Sequence, residues 1–151
     1  MKLLIGNRNY STWSLRPWLV LKHFDIRFED EVLQLSGPGW RETLAARSPT
    51  GKVPVLIDGD LVVPETLAII EYLADAFPEK AIWPTDRRDK ALARAAASEM
   101  HAGFSSLRNH APMNLRASHP GKVDVEAVRK DLQRLETLWG ELLAGSGRPY
   151  L

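Results

Sequence analysis

The chain has 151 residues, with twenty Lys and Arg against nineteen Asp and Glu and a formal net charge of +1. That balance leaves no electrostatic footprint for nucleic acid or an anionic membrane surface. At 44% apolar and 26% charged the composition is that of an ordinary globular protein, and its apolar runs fall far short of the ~20 residues that cross a bilayer.

The opening run Met1–Gly6 is too short an apolar stretch for a signal peptide, so a cytoplasmic location is the default expectation. Cysteine is absent, which excludes disulfides, thiolate metal sites and a cysteine nucleophile. Any thiol chemistry must use a thiol that the ligand brings. His23, His101, His110 and His119 form no HExxH-type pair, so no metal is expected.

Lys2–Gly6 reads as a short buried strand, followed by the polar loop Asn7–Thr12. Trp13–Phe24 reads as a helix, with Pro17 tolerable in its first turn. Ile26–Leu33 alternates in part and is expected to be a second strand. Ser36-Gly37-Pro38-Gly39 is a turn, Trp40–Ala46 a short helix and Ser48–Gly51 another loop. Val53–Ile57 and Leu61–Val63 then form a hairpin across Asp58-Gly59-Asp60. Thr66–Phe77 completes the series as a helix, with Leu67, Ile70, Ala74 and Phe77 on its apolar face.

The order is therefore β-α-β-α-β-β-α, closing near residue 79. Residues 80–85 are expected to be a linker, and 86–151 an all-helical region. One apolar stripe there runs Leu92, Ala96, Met100, Phe104, Leu107. Another runs Val125, Val128, Leu132, Leu135, Trp139, Leu142, with Asp124 as its N-cap. Two such helices cannot easily enclose a core, so this second domain is expected to be incomplete. The apolar step Arg148-Pro149-Tyr150-Leu151 is expected to lead into further structure.

Three local features carry chemistry. The first is Lys52-Val53-Pro54. A proline opening a strand removes a ladder donor. A trans bond on an edge strand is the commoner outcome. A cis bond would turn the Val53 N–H and C=O outward, where they could pair with an extended peptide. The second is Pro64-Glu65-Thr66, where a helix starts. Helix N-termini favour carboxylates, and Glu65 offers a partner for an ammonium group; simple capping by Thr66 is the plainer reading. The third is the hydroxyl-rich loop Tyr10-Ser11-Thr12-Trp13-Ser14. Its hydroxyls either cap the following helix or donate to a thiolate and favour ionisation.

In their order these segments resemble the glutathione S-transferase superfamily. Ser48-Pro49-Thr50-Gly51-Lys52-Val53-Pro54-Val55-Leu56 resembles the family's xNPxGxVPxL segment, which carries a cis-proline. Glu65–Leu73 resembles its [ED]S-x-AI-x-x-YL segment, and Tyr10–Pro17 resembles the bacterial serine-type members near the zeta class. The resemblance implies an α/β thioredoxin-like N-terminal domain followed by an incomplete all-α C-terminal domain.

It also implies site roles. Ser11 would stabilise the thiolate of glutathione, with Tyr10, Thr12 and Ser14 as neighbouring claimants. Val53 beside Pro54 would hold the cysteinyl backbone, and Lys52 would lie near the glycyl end. Glu65 and Thr66 would hold the γ-glutamyl amino and carboxylate groups. The implied reaction is attack of glutathione thiolate on a small-molecule electrophile, as a transferase or a maleylacetoacetate-type isomerase. Glutathione would be a co-substrate, and the protein a homodimer. The competing reading is a non-catalytic interaction module of the same fold.

Overall fold

The computed structural model describes residues 1–146, so the step expected at 148–151 lies outside the described residues. The chain divides into two compact units, Met1–Trp83 and Pro84–Leu151. No helix among the described residues is long and apolar enough to cross a membrane.

The first unit runs β1 (Lys2–Ile5), α1 (Thr12–His23), β2 (Glu29–Val32), α2 (Trp40–Ala45), β3 (Val55–Asp58), β4 (Leu61–Pro64), α3 (Thr66–Ala76), then a 3₁₀ turn at Pro78–Lys80. Its four strands form one sheet in the order β2-β1-β3-β4, with β1 parallel to β2 and the other pairs antiparallel. This is the thioredoxin-like arrangement.

Side chains alternate across β1 and sort the core into two layers. Leu3 and Ile5 join Leu21, Ile26, Leu56, Ile69 and Leu73 on the face covered by α1 and α3. Leu4 points the other way and packs with Leu33, Leu44 and Val55, under Trp40 of α2. A short central strand with no charged residue after Lys2 is what a sheet covered on both faces requires.

Several boundaries shift for identifiable reasons. The second strand begins at Glu29 rather than Ile26, because Ile26 is buried and its N–H donates to the Leu21 carbonyl at the end of α1 (2.9 Å). The third strand begins at Val55 rather than Val53, since Pro54 has no N–H for the ladder. The buried face of α3 is Thr66, Ile69, Ile70 and Leu73, rotated from the expected Leu67–Ala74 stripe. Ile69 and Leu73 point into the sheet, whereas Leu67 and Ala74 are only half-buried at its margin.

The second unit holds α4 (Arg87–Ala102), α5 (Ser105–His110) and α6 (Val125–Ser146). The stripe expected to continue from Leu92 to Leu107 breaks at Gly103-Phe104. Gly103 caps α4, and Phe104 is buried in the left-handed region at φ 61°. Arg108 fixes this break by donating to the Gly103 and Met100 carbonyls. Asp124 caps α6 as expected, accepting the N–H groups of Glu126 and Ala127 at 3.1 Å. The buried positions of α6 are Val128, Leu135 and Leu138, while Val125, Leu132 and Trp139 are exposed.

One ion pair gives the first unit a pH signature. Asp30 on β2 accepts from Arg8 Nη2 (2.8 Å) and from Trp18 Nε1 (3.1 Å). The Arg8 hydrogen bond, foremost, holds the Asp30 carboxyl below its ordinary value. A carboxylate whose pKa falls on folding adds stability above its unfolded pKa, and that stability is lost as pH falls through the folded one. Asp30→Asn is therefore expected to lower the urea midpoint near neutral pH, with the difference from wild type closing below about pH 4. Urea titrations at several pH values check this. A gap that persists undiminished in acid refutes it.

Candidate active site

The strand ends of the first unit place the three chemical segments together. The loop after β1 turns back through Tyr10 N–H and Ser11 N–H, both donating to the Asn7 carbonyl (3.2 and 2.9 Å). Ser11 is the N-cap of α1 and its Oγ accepts the Ser14 N–H at 3.4 Å. Ser11 Oγ also donates to Ser14 Oγ at 2.9 Å. Ser14 Oγ in turn accepts the Gly6 N–H at 3.1 Å, at the end of β1. Of the loop hydroxyls it is that of Ser11 that caps the helix, and Ser11 itself stays half-buried.

Gly6 is glycine for space: a Cβ there would stand 3.2 Å from Ser11 Cβ, Ser11 Oγ and Leu35 Cδ1. Tyr10 is 60% exposed, and Thr12 opens the first turn of α1. Ser14 is buried at 3% exposure, behind Ser11.

The Val53–Pro54 bond is cis. Among the described residues no protein group hydrogen-bonds the Val53 N–H or C=O. The turn before it is braced by Ser48, a loop residue that is nonetheless buried. Ser48 Oγ donates to the Lys52 carbonyl at 2.7 Å and accepts the Lys52 N–H at 3.1 Å. Gly51 adopts φ +62° beside it, a left-handed geometry that suits glycine. The Lys52 side chain is exposed.

Two hydrogen bonds tie the start of α3 to the other segments. Glu65 N–H donates to the Pro54 carbonyl at 3.4 Å. Thr66 Oγ1 donates to the Trp13 carbonyl at 3.0 Å, and Thr66 is wholly buried. Its hydroxyl is therefore committed within the fold. Glu65 caps α3, accepting the Leu67 N–H at 2.9 Å, and sits at φ 83°, ψ 136°. Strained backbone of this kind concentrates at functional sites. The result is one cluster: the N-termini of α1 and α3 with the Val53–Pro54 edge.

The cluster can place partial positive charge near a thiolate and near a carboxylate, with an acid for an ammonium group. Sequence reasoning missed Gly6, Ser48 and the Trp13 carbonyl. A serine three residues before a Gly-Lys turn and a glycine ending a buried strand were the available signals.

Residues 10–76 match the family model described as the N-terminal domain of glutathione S-transferase. A glutathione S-transferase 1 from Dianthus caryophyllus is 35% identical over 114 residues, covering 76% of this chain and 51% of that protein. The chain belongs to the glutathione S-transferase superfamily. A probable maleylacetoacetate isomerase from Caenorhabditis elegans is 30% identical over 135 residues, covering 87% of this chain and 62% of that relative. A solved Burkholderia glutathione transferase homolog with bound glutathione superposes with a TM-score of 0.60 at 28% identity, covering 72% of this superfamily member and 56% of the homolog. The chain spans about half the length of the first of these curated relatives.

Proposed function

We propose that this superfamily member binds glutathione at the cluster of Ser11, Val53–Pro54 and Glu65–Thr66 and directs its thiolate onto an electrophilic carbon. The observation that carries the reading is the convergence itself. Trp13–Thr66 and Pro54–Glu65 hydrogen bonds join three segments that are far apart in the chain.

In the proposed complex the Val53 N–H and C=O pair with the cysteinyl backbone, as a strand edge pairs with an extended peptide. That places the sulfur toward Ser11 and the N-terminus of α1. The Ser11 hydroxyl donates to the sulfur and, with the helix N-terminus, favours the thiolate. The γ-glutamyl carboxylate lies at the N-terminus of α3, and Glu65 takes the ammonium group. Because Thr66 Oγ1 is committed to Trp13, the backbone N–H of Thr66 is the donor proposed for that carboxylate. Lys52 lies on the glycyl side, where its charge suits a carboxylate.

The chemistry is positioning plus thiolate stabilisation. The sulfur–carbon bond forms as the electrophile's leaving group departs, or as the sulfur adds to a double bond and later leaves an isomerised product. The serine type, the homodimer and the small-molecule electrophile all belong to this proposal. The maleylacetoacetate isomerase name of the nematode relative supports the isomerase variant.

Calorimetric titration with glutathione, followed by conjugation of a generic aryl halide, tests it. Saturable binding with turnover is expected. Binding without turnover would favour the interaction-module reading, and no binding would end the proposal.

A further inference from the structure

Ser14 lies in the first turn of α1, behind the proposed thiolate donor, in an arrangement the reaction scheme above does not use. Its residue is 3% exposed. Its Oγ accepts the Gly6 N–H at 3.1 Å and is hydrogen-bonded to Ser11 Oγ at 2.9 Å. A hydroxyl has one donor and two lone pairs, and its hydrogen rotates to suit its partners. With the Ser11 hydrogen turned inward, Ser14 Oγ accepts twice, from Gly6 and from Ser11, and no further protein acceptor within the described residues takes its own hydrogen.

The balance changes when Ser11 turns its hydrogen outward. Ser14 then turns its own hydrogen toward Ser11 Oγ, the reverse of the 2.9 Å bond in which Ser11 is the donor. The buried hydroxyl is then fully satisfied: Gly6 donates to it and it donates to Ser11. A buried donor left without an acceptor is costly, so this second pattern is favoured once a ligand offers Ser11 an acceptor. Ser11 Oγ, accepting a hydrogen bond, also becomes a stronger donor, because chained hydrogen bonds polarise one another.

We infer that Ser14 is a positioning residue that reverses its hydrogen bond with Ser11 and so commits the Ser11 hydroxyl to the ligand's sulfur. This rests on the proposed glutathione reading. Gly6 completes the device from behind. Its N–H fills one lone pair of Ser14, and its missing side chain lets Ser11 lie within 3.2 Å of where a Cβ would be.

The test is the thiol pKa of enzyme-bound glutathione, followed by ultraviolet thiolate absorbance across pH. Five proteins are compared: wild type, Ser14→Ala, Ser14→Thr, Ser11→Ala and the double alanine variant. Ser14→Ala is expected to raise the bound thiol pKa by about one unit, a tenfold loss of thiolate below that pKa. Glutathione affinity in mild acid, where the thiol is protonated throughout, should not change. Ser14→Thr should restore the wild-type value. In the Ser11→Ala background, Ser14→Ala should add nothing, because its effect runs through Ser11.

Equal increments in both backgrounds, or a wild-type pKa in Ser14→Ala, would overturn the inference. If Ser14→Ala does not fold, Ser14→Cys carries the same test, since a thiol is a poor donor; the pH profile of conjugation then replaces absorbance. A wild-type protein that fails to lower the thiol pKa sinks the glutathione reading and this inference together. A wild-type shift that Ser11→Ala abolishes and Ser14→Ala leaves intact sinks this inference alone.

Discussion

Ser11→Ala is expected to lower kcat/KM for aryl halide conjugation by about a hundredfold, the loss that follows removal of one preorganised donor from a developing or resident anion. The reasoning starts from position. Ser11 is the N-cap of α1, so its Oγ stands where the helix N–H groups converge. Removing it takes away the one donor that is a hydroxyl and leaves the helix dipole in place, so some thiolate stabilisation survives. Capping complicates the variant, because loss of a serine cap costs about 1 kcal/mol of stability. Ser11→Gly separates the two effects. Glycine is a tolerable cap at a cost of only about a few tenths of a kcal/mol, yet it brings no hydroxyl. Alanine and glycine should therefore lose rate alike and differ in thermal melting. Ser11→Thr keeps both hydroxyl and cap and should keep most of the rate. Equal rates for wild type and the Ala and Gly variants would remove Ser11 from the mechanism.

Much of this fold was legible because its elements are short and sharply punctuated. The unbroken apolar run of β1, the Asp58-Gly59-Asp60 turn and the acidic cap of α6 are local signals, and each element formed where it was expected. The errors were tertiary. Ile26 is β-branched and reads as strand, yet burial under α1 sets its backbone partner. Leu67 reads as core by spacing, but the direction of α3 is set by Ile69 and Leu73 meeting the sheet. The Leu92–Leu107 stripe has a faultless helical period. Its break at Gly103-Phe104 depends on Arg108 reaching back to the carbonyls, which periodicity does not encode.

The site followed a different rule. Each of its segments, read alone, was better explained by capping or an edge strand. The structure shows capping as well, though at α3 the cap is Glu65 and not the expected Thr66, whose hydroxyl turns to the Trp13 carbonyl; at α1 the cap is Ser11. Capping and ligand binding are not rivals here, since both use the unpaired N–H groups at a helix start. What no single segment could reveal is the joinery. Trp13 contributes only a carbonyl to Thr66, Lys52 only its backbone N–H and carbonyl to Ser48, and Gly6 an N–H and an empty space. Backbone groups and absent side chains leave almost no trace in residue identity, whereas charged and hydroxyl side chains do.

Glu65 is where binding affinity should be most exposed to substitution. Glu65→Ala is expected to weaken glutathione binding by about a hundredfold, and Glu65→Gln by about tenfold, each read by calorimetry. The larger figure corresponds to losing a charge-assisted hydrogen bond, and the smaller to keeping the hydrogen bond without the charge. The backbone sharpens the experiment. At φ 83° and ψ 136°, Glu65 occupies a conformation that costs a non-glycine residue about 1–3 kcal/mol. Its cap to Leu67 and its N–H bond to Pro54 hold it there. Glu65→Gly relieves that strain while removing the acid. It is therefore expected to match or exceed wild type in urea midpoint, and yet to bind glutathione as poorly as Glu65→Ala. A residue strained only by the demands of folding would show the stability gain with affinity intact. Such a result would assign Glu65 to helix capping alone and move the ammonium site elsewhere.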